Sequence, residues 1–245
     1  MGSGTRVRDG PGTPGAHVRS SLMADVPPAA PSPGHPTPPP PGDGARVLLL
    51  TGPSGAGKTR LARRLGQTHG WPVVPLDDYY HPHDAEGLPR RPDGLVDWDH
   101  VGTWDADAAV AGLHALATRG QVDVPTYDIS SSSVVGHRLV ERHEAPLIVA
   151  EGIFAAHLVG RLQDNGLLAA AWCITAGPWV TFSRRLARDL AERRKPPAVL
   201  WERGNRLRRT EPEFVAQQRT LGARVMSPRA GERTAAVRWG AGRDA

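Results

Sequence analysis

The chain has 245 residues, of which 39% are hydrophobic, and its formal net charge is +5. This length suits one α/β domain with additional segments at its ends. The longest apolar runs have strand length, whereas a spanning helix needs about 20 apolar residues, so a membrane protein is not expected. Cys173 is the only cysteine, which excludes an intrachain disulfide or a cysteine-built zinc site and fits a reducing cytoplasm.

The positive charge is carried almost entirely by arginine, since Lys58 and Lys195 are the only lysines. Such a field suits anionic ligands, either nucleotides or polynucleotides. An equally good interpretation is a compositional bias that places arginine on solvent-exposed faces. No apolar segment follows Arg6 and Arg8, so a secretory signal is not expected.

Composition divides the chain into three parts. Residues 1–44 are rich in Pro and Gly, bury too little apolar surface to offset their ordering entropy, and are predicted to be disordered. Residues 45–226 are predicted to form the folded domain. Residues 227–245 are rich in Arg and Gly, with Trp239 isolated among them, and are also predicted to be disordered.

The first half of the domain alternates between strands and helices. An apolar run at 47–50 is predicted to be a strand buried on both faces, and a glycine-rich turn leads to a helix over 58–67. A second short strand is predicted at 73–76 and a helix over 103–119.

The second half continues this alternation. Its predicted elements are an extended segment at 121–127, a polar turn at 130–133, a strand at 146–150, a helix over 155–162, a strand at 170–175, a helix that ends before Pro196, a last helix over 213–220 and a weak strand near Val225. The pattern predicts an α/β fold with a doubly wound, mainly parallel sheet and helices on both faces.

The helix before Pro196 has one apolar stripe, which is expected to pack on the core and consists of Trp179, Phe182, Leu186 and Leu190. Arg184 and Arg188 lie opposite this stripe, and Arg185 flanks it, free to face a cleft. The guanidinium group binds phosphate oxygens bidentately. The alternative is a surface helix in which Asp189 pairs with arginines four residues away.

Residues 52–59 match the phosphate-binding pattern G-x-x-x-x-G-K-[ST] without a mismatch, between an apolar strand and a helix. The glycines allow successive main-chain N–H groups to point into one concavity, and the helix adds its positive end. Lys58 is expected to reach the β- and γ-phosphates of ATP, and Thr59 to place its hydroxyl on Mg²⁺. The residues expected to bind the nucleotide here are Gly52, Ser54, Gly55, Ala56, Gly57, Lys58 and Thr59.

This loop alone does not distinguish kinases, GTPases and motor ATPases. Neither lysine is preceded by Asn, so the Asn-Lys-x-Asp segment with which GTPases bind guanine is missing. Motor ATPases usually have a strand that ends in Asp-Glu, whereas this chain has Ala150-Glu151. A small-molecule kinase remains.

Carboxylates follow two of the predicted strands, at Asp77-Asp78 and at Glu151. Because ligands bind beyond the carboxyl ends of parallel strands, these groups are expected at one edge of the sheet. A kinase needs one carboxylate to accept or orient the acceptor hydroxyl and another to order Mg²⁺. The alternative for a strand-end Asp is a helix cap or a turn.

Five segments resemble those of uridine kinases and phosphoribulokinases and occur in that family's order. They are LDDYY (76–80), DWDH (97–100), VPTYD (124–128), VAEGI (149–153) and the arginine-rich RRLARDLAER (184–193). The resemblance implies a P-loop kinase domain with an arginine-rich lid, Mg²⁺-ATP as the phosphoryl donor, and the homo-oligomers that related enzymes often form.

The resemblance also implies residue roles. Asp77 matches the acidic residue that acts on the acceptor hydroxyl, and Glu151 an acidic residue near Mg²⁺, with Thr59 as the other metal contact. Residues that the match assigns to the acceptor are Asp77, Tyr80, Asp99, Tyr127, Arg185 and Arg193. Residues that it assigns to catalysis are Lys58, Asp77, Glu151 and Arg188, and Arg184 and Arg188 are assigned to the nucleotide.

The chain departs from this family at the acceptor. Val101 follows His100 where the family usually has proline, and 130–133 occupies the place of a base-reading histidine, for which His137 is a substitute from a longer loop. Glu202 lies near an expected glutamine, and an ionised Glu only accepts hydrogen bonds, which suits the amino group of cytidine.

The predicted function is transfer of the γ-phosphoryl group of ATP to a small alcohol, foremost the 5′-hydroxyl of uridine or cytidine. Pantothenate and a sugar phosphate are alternative acceptors. A different alternative is an inactive nucleotide- or nucleic-acid-binding regulator, for which the basic charge speaks, although a mere binder needs neither Asp77 nor Glu151. Nucleic acid is therefore not expected as a partner.

Overall fold

The computed structural model describes residues 44–191 and 197–240, except for the side chains of residues 197 and 198. The predicted disorder of 1–44 therefore falls almost wholly outside the described residues. Arg193, assigned to the acceptor, also lies outside them.

The strands and helices follow the predicted alternation. The strands are β1 (Arg46–Thr51), β2 (Val73–Pro75), β3 (Gln121–Asp128), β4 (Ser133–Glu141), β5 (Leu147–Glu151), β6 (Leu168–Ile174) and β7 (Arg224–Met226). The α-helices are α1 (Lys58–His69), α2 (Ala106–Arg119), α3 (Val159–Asp164), α4 (Pro178–Ala191), α5 (Pro197–Thr220) and α6 (Pro228–Trp239). Short 3₁₀ helices occupy Leu76–Tyr79, Val101–Thr103 and Ala155–Leu158.

A five-stranded parallel sheet in the order β2-β5-β1-β6-β7 forms the centre. Its strands bury side chains on both faces, because alternate residues of a strand point to opposite sides. In β1, Val47 and Leu49 belong to one core cluster, and Leu48 and Leu50 belong to the other. The α/β fold with a mainly parallel sheet is confirmed.

The strands β3 and β4 pair with each other as an antiparallel hairpin beside the main sheet. The predicted polar turn lies between them, where Asp128 accepts hydrogen bonds from the Ser130 and Ser131 hydroxyls at 2.6 and 3.0 Å. Val124 and Val140 attach the hairpin to the core.

The tail after residue 226 is helical up to Trp239, so the prediction of a disordered segment at 227–245 is wrong there; residues 241–245 are not described. The Ser227 hydroxyl accepts a hydrogen bond from Ala230 N at 3.2 Å and caps α6. The ring centroid of Trp239 lies 5.8 Å from that of Trp172 and 6.3 Å from that of Trp71. Its partners come from β6 and the α1–β2 connection, so the local composition did not reveal that it packs against the core.

Helices α4 and α5 also differ from the prediction. The buried side chains of α4 are Thr181, Phe182, Arg185 and Asp189, whereas Trp179 and Leu190 of the predicted stripe are 61% and 42% exposed. Polar residues turn inward because α4 packs on the phosphate-binding loop as well as on apolar residues. The helix predicted over 213–220 is the end of the longer α5, which continues through Pro212.

None of the helices in the described ranges combines the length and the apolar character that crossing a membrane requires.

Candidate active site

The loop between β1 and α1 forms the phosphate cradle. Gly55 has φ +88°, and a Cβ there would lie 2.6 Å from the Thr181 carbonyl oxygen. Gly52 has φ +141°, and a Cβ there would overlap the Ile174 carbonyl. Both positions therefore require glycine, because of the backbone angle and of the close neighbouring main chain.

Lys58 begins α1 and is buried next to the loop. Its Nζ donates hydrogen bonds to Gly52 O at 2.8 Å and Pro53 O at 3.4 Å. An ammonium group has three donors, so one remains for a phosphate oxygen. Burial lowers the pKa of Lys58, and the charges of Glu151 and Asp77 oppose this shift.

Glu151 and Asp77 lie at the same edge of the sheet as the loop, because β2 and β1 flank β5. Glu151 is buried at the end of β5 and receives a hydrogen bond from Thr59. Burial raises the pKa of Glu151; Lys58 opposes the shift and Asp77 adds to it. Asp77 is exposed to solvent, yet the protein around its carboxylate raises its pKa through desolvation, against the lowering effect of Lys58.

Gly152 lets Asp77 approach β5. A Cβ at Gly152 would lie 3.1 Å from Asp77 Oδ1 and 2.9 Å from the Leu76 Cβ. The motif that contains Gly152 does not indicate this role, because the residues that approach Gly152 follow a different strand, β2.

Gly152→Ala is expected to displace the Asp77 carboxylate and to lower kcat about 10²-fold, since small misplacement of a reacting group is costly. The KM for ATP should stay within about twofold, because the added methyl does not face the loop. Steady-state kinetics checks this, with Gly160→Ala as the control, because a Cβ at Gly160 meets nothing within 4 Å. Unchanged kcat would contradict the spacing role.

Asp78 points away from Asp77 and holds the hairpin. Its Oδ1 accepts a hydrogen bond from Tyr127 N at 3.2 Å, and its Oδ2 lies 3.4 Å from the Arg138 guanidinium. The two adjacent carboxylates therefore have different surroundings, one beside Lys58 and one beside β3 and β4.

Asp78→Ala is expected to loosen the hairpin and to raise the acceptor KM about tenfold, the equivalent of one lost charge-assisted hydrogen bond. The KM for ATP should not change, because Asp78 does not contact the loop. Titrating each substrate at a saturating level of the other separates the two effects. An equal rise in both KM values would contradict this role.

Aromatic side chains cluster around Tyr80, close to Asp77 in the chain, and the space beside these rings is called the aromatic cleft. Tyr80 lies 5.8 to 6.0 Å, between ring centroids, from Trp98, Tyr127 and Phe154. The Tyr127 hydroxyl donates to the His81 carbonyl at 3.2 Å. Rings arranged in this way provide flat apolar surfaces for a planar or sugar-like ligand. Tyr80 and Tyr127, assigned to the acceptor, are thus neighbours; Trp98 and Phe154 were not singled out.

Asp99 is exposed on the same side of the cleft, and its Oδ1 lies 4.0 Å from the Arg203 guanidinium of α5. Glu202, which lies near the position of the expected glutamine, is exposed. Arg203 is the residue that reaches towards Asp99. Only the packing of α5 across the cleft identifies it.

The arginines of α4 lie close to the cradle. Arg188 donates to the Ser54 hydroxyl at 3.3 Å and pairs with Asp189 at 3.0 Å. Arg185 is buried and donates twice to the Ser54 carbonyl, at 3.3 and 2.9 Å. Its contact is thus with the loop, and a role towards the acceptor stays a prediction. The Arg184 guanidinium lies beside Gly57.

A cavity of about 390 Å³ adjoins the loop. It opens between α1, α4 and the start of α6, and its lining includes Gly57, Leu61, Thr175, Arg184, Ser227 and Pro228. The cavity continues from the cradle and has room for the base and ribose of a nucleotide. Sequence reasoning missed it because the α6 side was expected to be disordered.

Magnesium needs few protein ligands when phosphate oxygens and water complete its shell. Thr59 and Glu151 supply two oxygen donors beside Lys58. Within 44–191 and 197–240, no group of three His, Cys, Asp or Glu side chains is arranged to hold a metal. The donor set therefore fits an ion held mainly by a nucleotide.

The model of the Phosphoribulokinase / Uridine kinase family matches residues 47–219. The chain belongs to this family. It is 30% identical over 196 residues to a uridine kinase of Chloroflexus aggregans, which covers 78% of this chain and 90% of that protein.

Other relatives share only part of their length with this chain. A uridine kinase of Schizosaccharomyces pombe is 29% identical over 191 residues, 75% of this chain and 40% of that protein. The inorganic pyrophosphatase TTM1 of Arabidopsis thaliana is 31% identical over 156 residues, 63% of this chain and 22% of that protein.

The fold also matches a solved structure. A protein from Silicibacter sp. TM1040 described as a fructose transport system kinase has a TM-score of 0.50 and 18% identity, over 80% of this chain and 91% of that one. At this identity the likeness concerns the fold, and the predicted P-loop fold is confirmed.

Proposed function

We propose that this protein transfers the γ-phosphoryl group of ATP to a primary hydroxyl of a small molecule, foremost the 5′-hydroxyl of uridine or cytidine. The observation that carries the proposal is the juxtaposition of Lys58, Glu151 and Asp77 at one sheet edge, where Lys58 lowers the pKa of both carboxyl groups and both carboxylates raise the pKa of Lys58. Such a reaction needs a site for the phosphoryl donor, which the phosphate cradle provides, and a group that orients the acceptor, which is the carboxylate beside the aromatic cleft.

The donor side is assigned to the loop amides, Lys58 and the α4 arginines. The amides and the Lys58 ammonium hold the β- and γ-phosphates, while Arg184 and Arg188 neutralise charge as the phosphoryl group moves. Thr59 and Glu151 would hold Mg²⁺, which when bound to ATP supplies charge neutralisation between the phosphates. The cavity beside Gly57 takes the base and ribose.

The acceptor side centres on Asp77. Its carboxylate accepts the proton of the attacking hydroxyl and orients the oxygen towards the γ-phosphorus. Its raised pKa makes this carboxylate a better proton acceptor than an aspartate with the ordinary pKa. Because the transition state is loose, alignment of the hydroxyl contributes more than base strength.

The aromatic cleft supports a nucleoside acceptor. A pyrimidine ring can stack against Tyr80 or Tyr127, and Asp99 accepts hydrogen bonds from sugar hydroxyls. Arg203 only donates hydrogen bonds, so it suits a ring carbonyl oxygen. These features favour uridine or cytidine over pantothenate, which has no ring.

ADP release from Mg²⁺-ATP, measured against uridine, cytidine, pantothenate, a sugar phosphate and polynucleotide, tests the acceptor. Stimulation by a pyrimidine nucleoside is the expected result. Stimulation by pantothenate or the sugar phosphate alone would support kinase activity but contradict a nucleoside as the acceptor. Salt-sensitive polynucleotide binding without stimulation by any alcohol would overturn the proposed function.

A further inference from the structure

One face of α5 is directed at the phosphate cradle and at α4. Gly204, Glu211 and Gln218 follow each other at seven-residue spacing, which places them on the same side of a helix. A Cβ at Gly204 would lie 2.7 Å from the Phe182 ring, so the two helices are in close contact there. Glu211 and Gln218 are both buried.

Glu211 sits behind two residues that contact the loop. Its Oε2 accepts a hydrogen bond from the Thr181 hydroxyl at 2.5 Å. The Thr181 carbonyl abuts Gly55. The negative charge of Glu211 also counteracts the effect of burial, which lowers the pKa of Arg185. Arg185 in turn holds the Ser54 carbonyl.

Gln218 supports the start of the same loop. The Thr51 hydroxyl lies 2.7 Å from the Gln218 side-chain amide and 3.0 Å from Ile153 O. The contacting atom of Gln218 is Oε1, which accepts as Ile153 O does, and a hydroxyl has one hydrogen, so Thr51 donates to one of these two oxygens at a time. One helix face thus supports the loop both at Thr51 and at Ser54–Gly55.

A buried carboxylate is energetically unfavourable unless its charge is compensated. Without hydrogen bonds and a compensating charge, burial of an ionised group is strongly destabilising, and an apolar residue of similar size would destabilise the fold less. The charge of Glu211 has one evident use in the described part of the chain, which is to compensate the buried guanidinium of Arg185.

We propose that Glu211 is a positioning residue for nucleotide binding, which fixes the Ser54–Gly55 turn of the cradle through Thr181 and Arg185. The inference rests on the proposed function, since it assumes that the loop binds Mg²⁺-nucleotide. Glu211 itself touches neither the nucleotide nor the acceptor. Its removal therefore changes nucleotide affinity while the aromatic acceptor cleft stays as it is.

Glu211→Gln tests this, because the amide keeps an acceptor for Thr181 and loses only the charge. Binding of a fluorescent N-methylanthraniloyl-ADP with Mg²⁺ is measured together with the melting temperature and both KM values. The Kd for this ADP analogue is expected to rise about tenfold, the effect of losing one charge-assisted interaction. The acceptor KM is expected to stay within about twofold.

Glu213→Gln is the matched control, since Glu213 is exposed on the same helix. It should bind the ADP analogue as the wild-type chain does. Thr181→Val provides a second variant: it leaves the charge but removes the hydrogen bond, and it is expected to weaken analogue binding in the same direction.

A Glu211→Gln chain that binds the analogue as tightly as the wild-type chain would overturn the inference and leave the proposed function intact. If Glu211→Gln does not fold, unchanged binding in Thr181→Val would overturn it as well. Equal weakening towards nucleotide and acceptor would indicate general loss of structure and contradict positioning. A wild-type chain that binds no analogue would overturn the proposed function and this inference with it.

Discussion

Lys58→Ala is expected to lower kcat/KM for phosphoryl transfer at least about 10³-fold, since one lost donor to a transition-state oxygen already costs 10² to 10³ in rate. The side chain is buried, and its two hydrogen bonds to Gly52 and Pro53 hold it in the cradle. Alanine removes both the charge opposite the transferred phosphoryl group and a contact that fixes the loop. Initial rates of ADP release at several ATP concentrations measure the loss.

Arg63→Ala is the control for this substitution. Arg63 lies on the same helix, α1, and is exposed, so its loss changes net charge equally without touching the cradle. It should retain wild-type kinetics. A Lys58→Ala chain with kcat/KM within tenfold of wild type would contradict the assignment of the loop to the phosphates.

Asp77→Asn is expected to lower kcat about 10²- to 10⁴-fold, the usual contribution of a positioned general base. Asparagine has nearly the same shape but does not accept a proton at neutral pH. The variant should still bind Mg²⁺-nucleotide, because Asp77 lies on the acceptor side of Lys58. Single-turnover kinetics with pre-bound ATP isolates this step from binding.

The pH dependence gives Asp77 a second signature. Desolvation raises the pKa of its carboxyl, and the ionised form is the proton acceptor. Transfer by the wild-type chain should therefore decline as pH falls through that raised pKa, at a higher pH than for an aspartate with the ordinary pKa. The residual rate of Asp77→Asn should lack this decline. If the rates of the wild-type chain and of Asp77→Asn decline in the same way at low pH, the ionisation belongs to another group.

The sequence predicted those parts of the site that depend on residues close together in the chain. The loop 52–59 has a fixed spacing, and the runs before it and before Gly152 have the length and apolar character of buried parallel strands. Because the carboxyl ends of parallel strands share one edge of the sheet, the sequence predicted that Asp77 and Glu151 lie beside the loop. The structure has them there.

The missed features depend on partners far along the chain. The role of Gly152 follows from the approach of Leu76 and Asp77. Trp239 is partly buried against aromatic residues from two other elements. Arg185 turns inward because Ser54 offers a carbonyl, although the apolar spacing of α4 favoured a different face. Periodicity along a single helix does not indicate a polar partner that another element supplies.

Following the label of γ-labelled ATP in the presence and absence of uridine or cytidine shows whether the phosphoryl group reaches the nucleoside. We expect the label to appear on the nucleoside, little ATP to be consumed without an alcohol, and both Lys58→Ala and Asp77→Asn to lose the product. Release of the label as inorganic phosphate, at the same rate with or without an alcohol, would contradict this expectation and indicate a hydrolase.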